Sequence, residues 1–262
     1  MLFQGNAISV ELNDDGIAKL TFDLQGEPVN KLNQLTLKEL DQALSAMENK
    51  ADIKGLLVCS GKAFFIVGAD IAEFAQMATM GDKELASSLL ALNAVFSRLE
   101  DLPFPTVSAI NGMALGGGLE TALCTDFRVA ETSTKLGFPE VKLGIIPGYG
   151  GTVRAPRLIG ADNAIEWIAT GGEYSADAAL KVGIVDAVVA PEQLLDAASD
   201  LLAKAIAGDF DYRPLRERKK SKLQLDDIES MMSFTTAQAM VAQQAGRNYP
   251  APLTAAKTMQ QH

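Results

Sequence analysis

The 262-residue chain is almost without histidine: its single one is His262, the last residue, where chain ends usually fray. That scarcity removes the Ser-His-Asp triad, the Cys-His pair and the His-ligated zinc site, each of which needs an imidazole held in a packed place. An enzyme built on this sequence takes its acid and base from carboxylates, lysine, tyrosine, cysteine or the backbone, and no metal site is expected. Cysteine occurs twice, Cys59 in an apolar run and Cys124 in a helical apolar stretch. Both read as buried thiols, and a disulfide framework is not expected.

Positive charge is in deficit too. A net charge of −10 and a pI near 4.7 oppose attraction to nucleic-acid phosphates or anionic lipid, so no nucleic-acid partner is expected. The first residues lack the cationic start and apolar block of a secretory signal, and no apolar run reaches the ~18 residues of a membrane span. A soluble, cytoplasmic protein is the expectation. What is abundant is core material: 48% hydrophobic against 21% charged residues is enough for one large domain or two small lobes.

The apolar pattern alternates between two periods. Ile8, Val10 and Leu12, the turn residues 13–16 and the run 17–22 predict a β-hairpin. Leu37, Leu40, Leu44 and Met47 then follow a helical spacing, with Thr36 and Glu39 placed as a capping box. Strands are predicted at 55–60, 106–110, 127–130 and 185–189. Between them come helices at 70–77, opened by Asp70 and Glu73 as a cap, along Leu85, Leu89, Leu92, Phe96 and Leu99, from about Gly117, and at 162–170. Such alternation predicts an α/β domain with mostly parallel pairing. After it, 191–207 reads as helix, and the basic stretch Arg213, Arg216, Arg218, Lys219, Lys220 and Lys222 reads as a solvated connector.

Three glycine-rich segments border these elements: 66–70, 111–120 and 144–151. Glycine lets the main chain approach a ligand and present its N–H groups. Known phosphate loops do not fit, because Gly61-Lys62 is followed by Ala63 rather than Ser or Thr, and the triple glycine 116–118 lacks the dinucleotide spacing. Gly117-Gly118-Leu119-Glu120 reads as a helix start, whose unpaired amides can hold a developing oxyanion. Glu120 there is either a carboxylate settling the helix dipole or a reacting group; Glu140, after Phe138-Pro139, is either a solvated loop residue or its counterpart.

In order and spacing, the segments 65–71, 111–120, 125–128, 137–140 and 143–148 resemble the crotonase superfamily of enoyl-CoA hydratases and isomerases, over essentially the whole chain. Met232-Ser233-Phe234 and Tyr249-Pro250-Ala251-Pro252 are similar to the hydratase part of the bacterial multifunctional fatty-acid-oxidation branch. The resemblance implies a spiral of ββα units with two nearly perpendicular sheets over 1–190, followed by C-terminal helices over 191–262. It implies Glu120 and Glu140 as catalytic carboxylates, an oxyanion hole from the N–H groups of Ala69 and Gly117, and substrate contacts at Gly68, Asp70, Gly116 and Gly148. The implied reaction is syn addition of water to a 2-trans-enoyl-CoA in β-oxidation, with movement of a double bond from the 3 to the 2 position as a companion activity. It requires no cofactor beyond the coenzyme A of the substrate.

The same resemblance implies a thiolase β subunit as partner in a full-length complex and leaves a homo-oligomer open. It implies that the chain is a piece of a longer one, the NAD site belonging to a dehydrogenase domain beyond it. Lys31 is a candidate for a phosphate contact or a solvated turn residue, and Ala72 stands where stand-alone hydratases often carry lysine. Two rivals remain: another acyl-CoA enzyme, such as a decarboxylase or thioester hydrolase, and an assembly module for a thiolase-like partner.

Overall fold

The computed structural model describes residues 1–48, 50–77, 79–246 and 248–261, so His262 lies outside the described residues. Strands β1 (Phe3–Gln4), β2 (Ile8–Leu12) and β3 (Ile17–Phe22) pair antiparallel, and the expected hairpin turns where Asn13 Oδ1 accepts from the N–H groups of Asp15 and Ile17. Helix α1 (Gln34–Met47) buries Leu37, Leu40, Leu44 and Met47 on one stripe. Its cap differs from the expected Thr36–Glu39 box. Asn33 is the cap, its Oδ1 accepting from Thr36 N at 2.8 Å. Glu39 instead turns inward and accepts from the amides of Asn6, Ala7 and Ile8 at 2.9, 2.7 and 3.0 Å. Three orphaned amides of an extended segment outbid one helix-end amide for an ionised carboxylate.

Strand β4 (Gly55–Ser60) is followed by α2 (Ile71–Met77) and α3 (Asp82–Glu100), then β5 (Thr106–Ile110), β6 (Met113–Leu115), α4 (Gly117–Cys124), β7 (Phe127–Glu131) and β8 (Lys135–Gly137). The order has a rule. In each turn of chain the first strand joins a seven-stranded sheet, the second joins a three-stranded one, and a helix returns. β5, β6 and α4 make one such ββα unit, and β7, β8 and the helices after them make the next. Before β6 and β8, the bridge Ile66↔Ala114 supplies the same position for the turn that begins with β4. This is the spiral that the resemblance implied.

Helices α5 (Gly151–Ile159) and α6 (Ala161–Thr170) follow a 3₁₀ turn at Pro139–Leu143; then come β9 (Glu173–Ser175), α7 (Ala176–Val182) and β10 (Ala187–Val189). The large sheet runs β1-β2-β3-β4-β5-β7-β10 and is parallel from β3 onward. Parallel strands need cover on both faces. Leu56 and Val58 of β4 enter the main core with α1 and α4, while Leu57 and Cys59 face Ala198 and Leu202 of α8 (Leu194–Ala207). Both cysteines are buried and free.

Three expectations shift here. β10 starts at Ala187, since the amides of Ile184 and Val185 close the end of α7 onto Ala179 O. Asp70 caps α2 through Ala72 N at 3.1 Å, but Glu73 leaves the cap and accepts from Gln34 N. The basic stretch forms α9 (Arg213–Lys220) and is only partly a solvated connector. Arg213, Arg218 and Lys222 are exposed, yet Arg216 pairs with buried Asp126 at 2.7 Å and Lys219 is 2% exposed. The last helices, α10 (Asp227–Ala245) and α11 (Ala251–Gln261), pack on α6. Among the described residues no helix is long and apolar enough to cross a membrane.

Candidate active site

Glycine brings α4 against the 66–69 segment. A Cβ on Gly118 would collide with the Ile66 carbonyl, and Gly116 turns the chain at φ +52 before the helix begins. Leu115 N donates to Ile66 O at 3.1 Å and Gly116 N to Gly137 O at 2.9 Å, so the chain entering α4 is pinned on both sides. The first amide of the helix, Gly117 N–H, has no acceptor among the described residues. Beside it, Leu32 pairs with Ala69 through Leu32 N to Gly68 O at 2.9 Å and Asp70 N to Leu32 O at 3.1 Å. In such a bridge the central residue's own N–H points the other way, and that of Ala69 likewise finds no acceptor among the described residues. A cavity of about 570 Å³ opens at Ala69, walled by Leu32, Leu37, Met77, Leu92, Val95 and Tyr149, with Asp70 also in its lining.

Glu120 lies in the first turn of α4 and is 1% exposed. Its Oε1 accepts from Tyr149 N at 2.8 Å and Gly151 N at 2.6 Å, amides that flank Gly150 at the start of α5. Glu140 comes from the 3₁₀ turn after β8; a Cβ on Gly116 would come within 2.6 Å of its Oε1. The residue as a whole is half-buried, but its Oε2 is sealed from solvent and has no hydrogen-bond partner among the described residues. The fold therefore brings Glu120, Glu140, Gly116 and Gly117 together, with Gly68 and Ala69 on the adjoining segment.

The two carboxyls differ electrostatically. Burial pushes Glu120 up to about 7, against the amides of Gly151 and Tyr149 and the guanidinium of Arg154, which favour its charge. Burial and then the charge of Glu120 push Glu140 up to about 8. Glu140 thus holds its proton where Glu120 starts to lose its own, a pairing suited to one acid and one base. Tyr149, stacked on Phe96 with centroids 4.9 Å apart, is pushed up to about 12 by burial and by Glu120, Glu73 and Glu140.

The other candidate residues are placed less centrally. Asp70 pairs with Lys31 at 2.9 Å on the cavity rim, and Lys31 also reaches Glu27 at 3.0 Å. That bond to Lys31, with the Ala72 amide, holds the Asp70 carboxyl below its usual range. Gly148 presents its carbonyl to Asn93 Nδ2 at 2.8 Å, which anchors the loop to α3. Among the described residues no group of three His, Cys, Asp or Glu side chains is placed to hold a metal ion. Sequence reasoning marked 144–151 as a segment that presents amides but not that the Tyr149 and Gly151 amides would meet Glu120, and it passed over Arg154.

The enoyl-CoA hydratase/isomerase family model matches residues 13–247. The fatty acid oxidation complex subunit alpha of Pseudomonas syringae pv. tomato (strain ATCC BAA-871 / DC3000) is 57% identical over 260 residues, covering 99% of this chain and 36% of that protein. The protein of the same description from Pseudomonas savastanoi pv. phaseolicola is 58% identical over the same span. This chain accordingly spans about a third of the length of the curated relatives it matches. Among solved structures, an enoyl-CoA hydratase from Bacillus anthracis is similar with a TM-score of 0.71 and 30% identity, over 94% of this chain and 99% of that one.

Proposed function

The chain belongs to the enoyl-CoA hydratase/isomerase family, and from that membership and the unequal pair of glutamates we propose that it hydrates 2-trans-enoyl-CoA thioesters of fatty-acid β-oxidation. The thioester carbonyl makes the β-carbon electrophilic, so water attack there moves negative charge onto the carbonyl oxygen. Glu120, ionised, accepts the proton of the attacking water; Glu140, protonated, delivers its proton to the α-carbon. The N–H groups of Ala69 and Gly117 receive the enolate oxygen, where one such donor is worth ~3 kcal/mol in other enzymes. The acyl chain enters the cavity at Ala69, with the backbone around Gly68, Asp70, Gly116 and Gly148 as further contacts. The same apparatus, removing an α-proton and returning one at the γ-carbon, moves a 3-enoyl double bond to the 2 position.

One observation supports this division of roles: Glu120 has two amide donors on one oxygen, whereas Glu140 Oε2 has none among the described residues. The carboxyl with the donors ionises first. Written this way the reaction is neutral in electrons, so coenzyme A enters only as part of the substrate and no NAD is consumed. Since the relatives are alpha subunits of a fatty acid oxidation complex, we place this chain in such an assembly, in the bacterial cytoplasm, with a thiolase subunit as its partner.

Loss of the conjugated-thioester absorbance of crotonyl-CoA tests the activity directly. Glu120→Gln should lower kcat by about a thousandfold with KM nearly unchanged. Equal loss of turnover and binding would remove the base role from Glu120.

A further inference from the structure

The buried charges behind Glu120 take part in no step of the proposed reaction. Arg154, on α5 and 6% exposed, donates through Nη1 to the Tyr149 carbonyl at 3.0 Å and through Nε and Nη2 to Glu100 Oε2 at 3.2 and 3.1 Å. Glu100 Oε1 forms an ion pair with Lys219 Nζ at 3.0 Å. Lys219 in turn donates to the carbonyls of Leu123, Cys124 and Thr125 at 3.1, 3.0 and 3.1 Å, which close the far end of α4. One line of charges thus runs from the C-terminus of the helix that carries Glu120 to the turn whose amides hold Glu120. The turn is shaped around the guanidinium: Gly150 adopts φ +100, and a Cβ there would collide with Arg154 Nη1. A planar fork serves the Tyr149 carbonyl and the Glu100 carboxylate together, which a single ammonium does not.

Resting on the hydratase reading above, we propose that Arg154 is a positioning residue for that reaction, fixing the 149–151 turn so that the Tyr149 and Gly151 amides present Glu120 to water. It touches neither the substrate nor the reacting atoms. Its charge has a second effect, because a cation beside Glu120 favours the ionised form. Arg154 is the charged side chain that shifts Glu120, while the charge of Glu120 in turn raises Glu140 on the 3₁₀ turn, Tyr149 on the loop and Cys124 on its own helix.

Arg154→Met and Arg154→Lys, made in the whole chain, test this through hydration of crotonyl-CoA over about pH 5 to 9. A second readout is the infrared carboxylate titration assigned to Glu120 by subtraction of the Glu120→Gln spectrum. Loss of the guanidinium leaves Glu100 paired with Lys219, so Arg154→Met retains a balanced interior; circular dichroism and thermal melting check that it folds. We expect kcat to fall about a hundredfold with KM within about threefold. The acid limb of the kcat profile and the infrared titration should both move to higher pH. Arg154→Lys, with the charge but without the fork, should recover the limb and only part of kcat. A loss of kcat matched by loss of folded protein, with limb and titration at their wild-type positions, overturns the proposal. Should Arg154→Met fail to fold, Arg154→Lys decides: wild-type kcat overturns the role, and reduced kcat at unchanged KM upholds it. Should the wild-type chain hydrate nothing, the hydratase reading fails separately, and an unmoved Glu120 titration in Arg154→Met would sink the role of Arg154 on its own.

Discussion

Replacing Glu140 by Gln is expected to stabilise the fold at alkaline pH while it removes hydration. The Glu140 carboxyl is raised from an ordinary 4.5 to about 8, by burial first and by the charge of Glu120 second. In the unfolded chain it gives up its proton near the ordinary value, and in the folded one it keeps it until about pH 8. The stability it contributes is therefore fully present below about pH 4.5 and is lost as pH rises to about 8. A gap of about 3.5 units at about 1.4 kcal/mol each bounds the loss at about 5 kcal/mol. Since the residue as a whole is half-buried, solvent screening reduces the expected loss to on the order of 2 to 3 kcal/mol. Glutamine keeps the shape and does not titrate. Urea unfolding of both proteins at intervals from about pH 5 to 9 measures the difference. The stability of Glu140→Gln relative to wild type should grow by that amount across the window and level off above it. Glu120, itself pushed up to about 7, loses stability in both proteins and largely cancels. A constant offset, or a difference that grows toward acid, would refute the burial of a carboxyl with one unpartnered oxygen that the reasoning rests on.

Two further substitutions probe the frame around the pair. Gly150→Ala places a methyl against Arg154 Nη1 at a backbone angle of φ +100, and should cost at least about 2 kcal/mol in denaturant unfolding and lower kcat with it. Wild-type stability would mean that the turn is not built around the guanidinium. Lys219→Met removes a buried ammonium from three carbonyls at the end of α4 and should cost about 2 to 4 kcal/mol by calorimetry. No change in melting temperature would mean that Lys219 contributes no more to the fold than a solvated residue does.

Much of the architecture was legible because it is written in local periods. Residues 8–22 alternate with period two and 37–47 with a helical period, and each found the element it predicted. The parallel strands β4, β5 and β7 also lay where short apolar runs placed them. Charged residues were read less well, since a carboxylate or ammonium goes to the strongest unmatched partner in space, not in sequence. Glu39 left its own helix cap for amides more than 30 positions away, and Lys219 left solvent for carbonyls 94 to 96 positions away.

The amino-acid order by itself determined that strand and helix alternate, that histidine is confined to the last residue, and that glycine frees the main chain at three places, one of them the start of α4. Tertiary structure alone decided which amides grip Glu120 and which carboxyl oxygen goes without a partner. The physical reason is that ionisation of a buried group follows the field and the hydrogen bonds of its final surroundings, and these are assembled from segments that no local pattern connects.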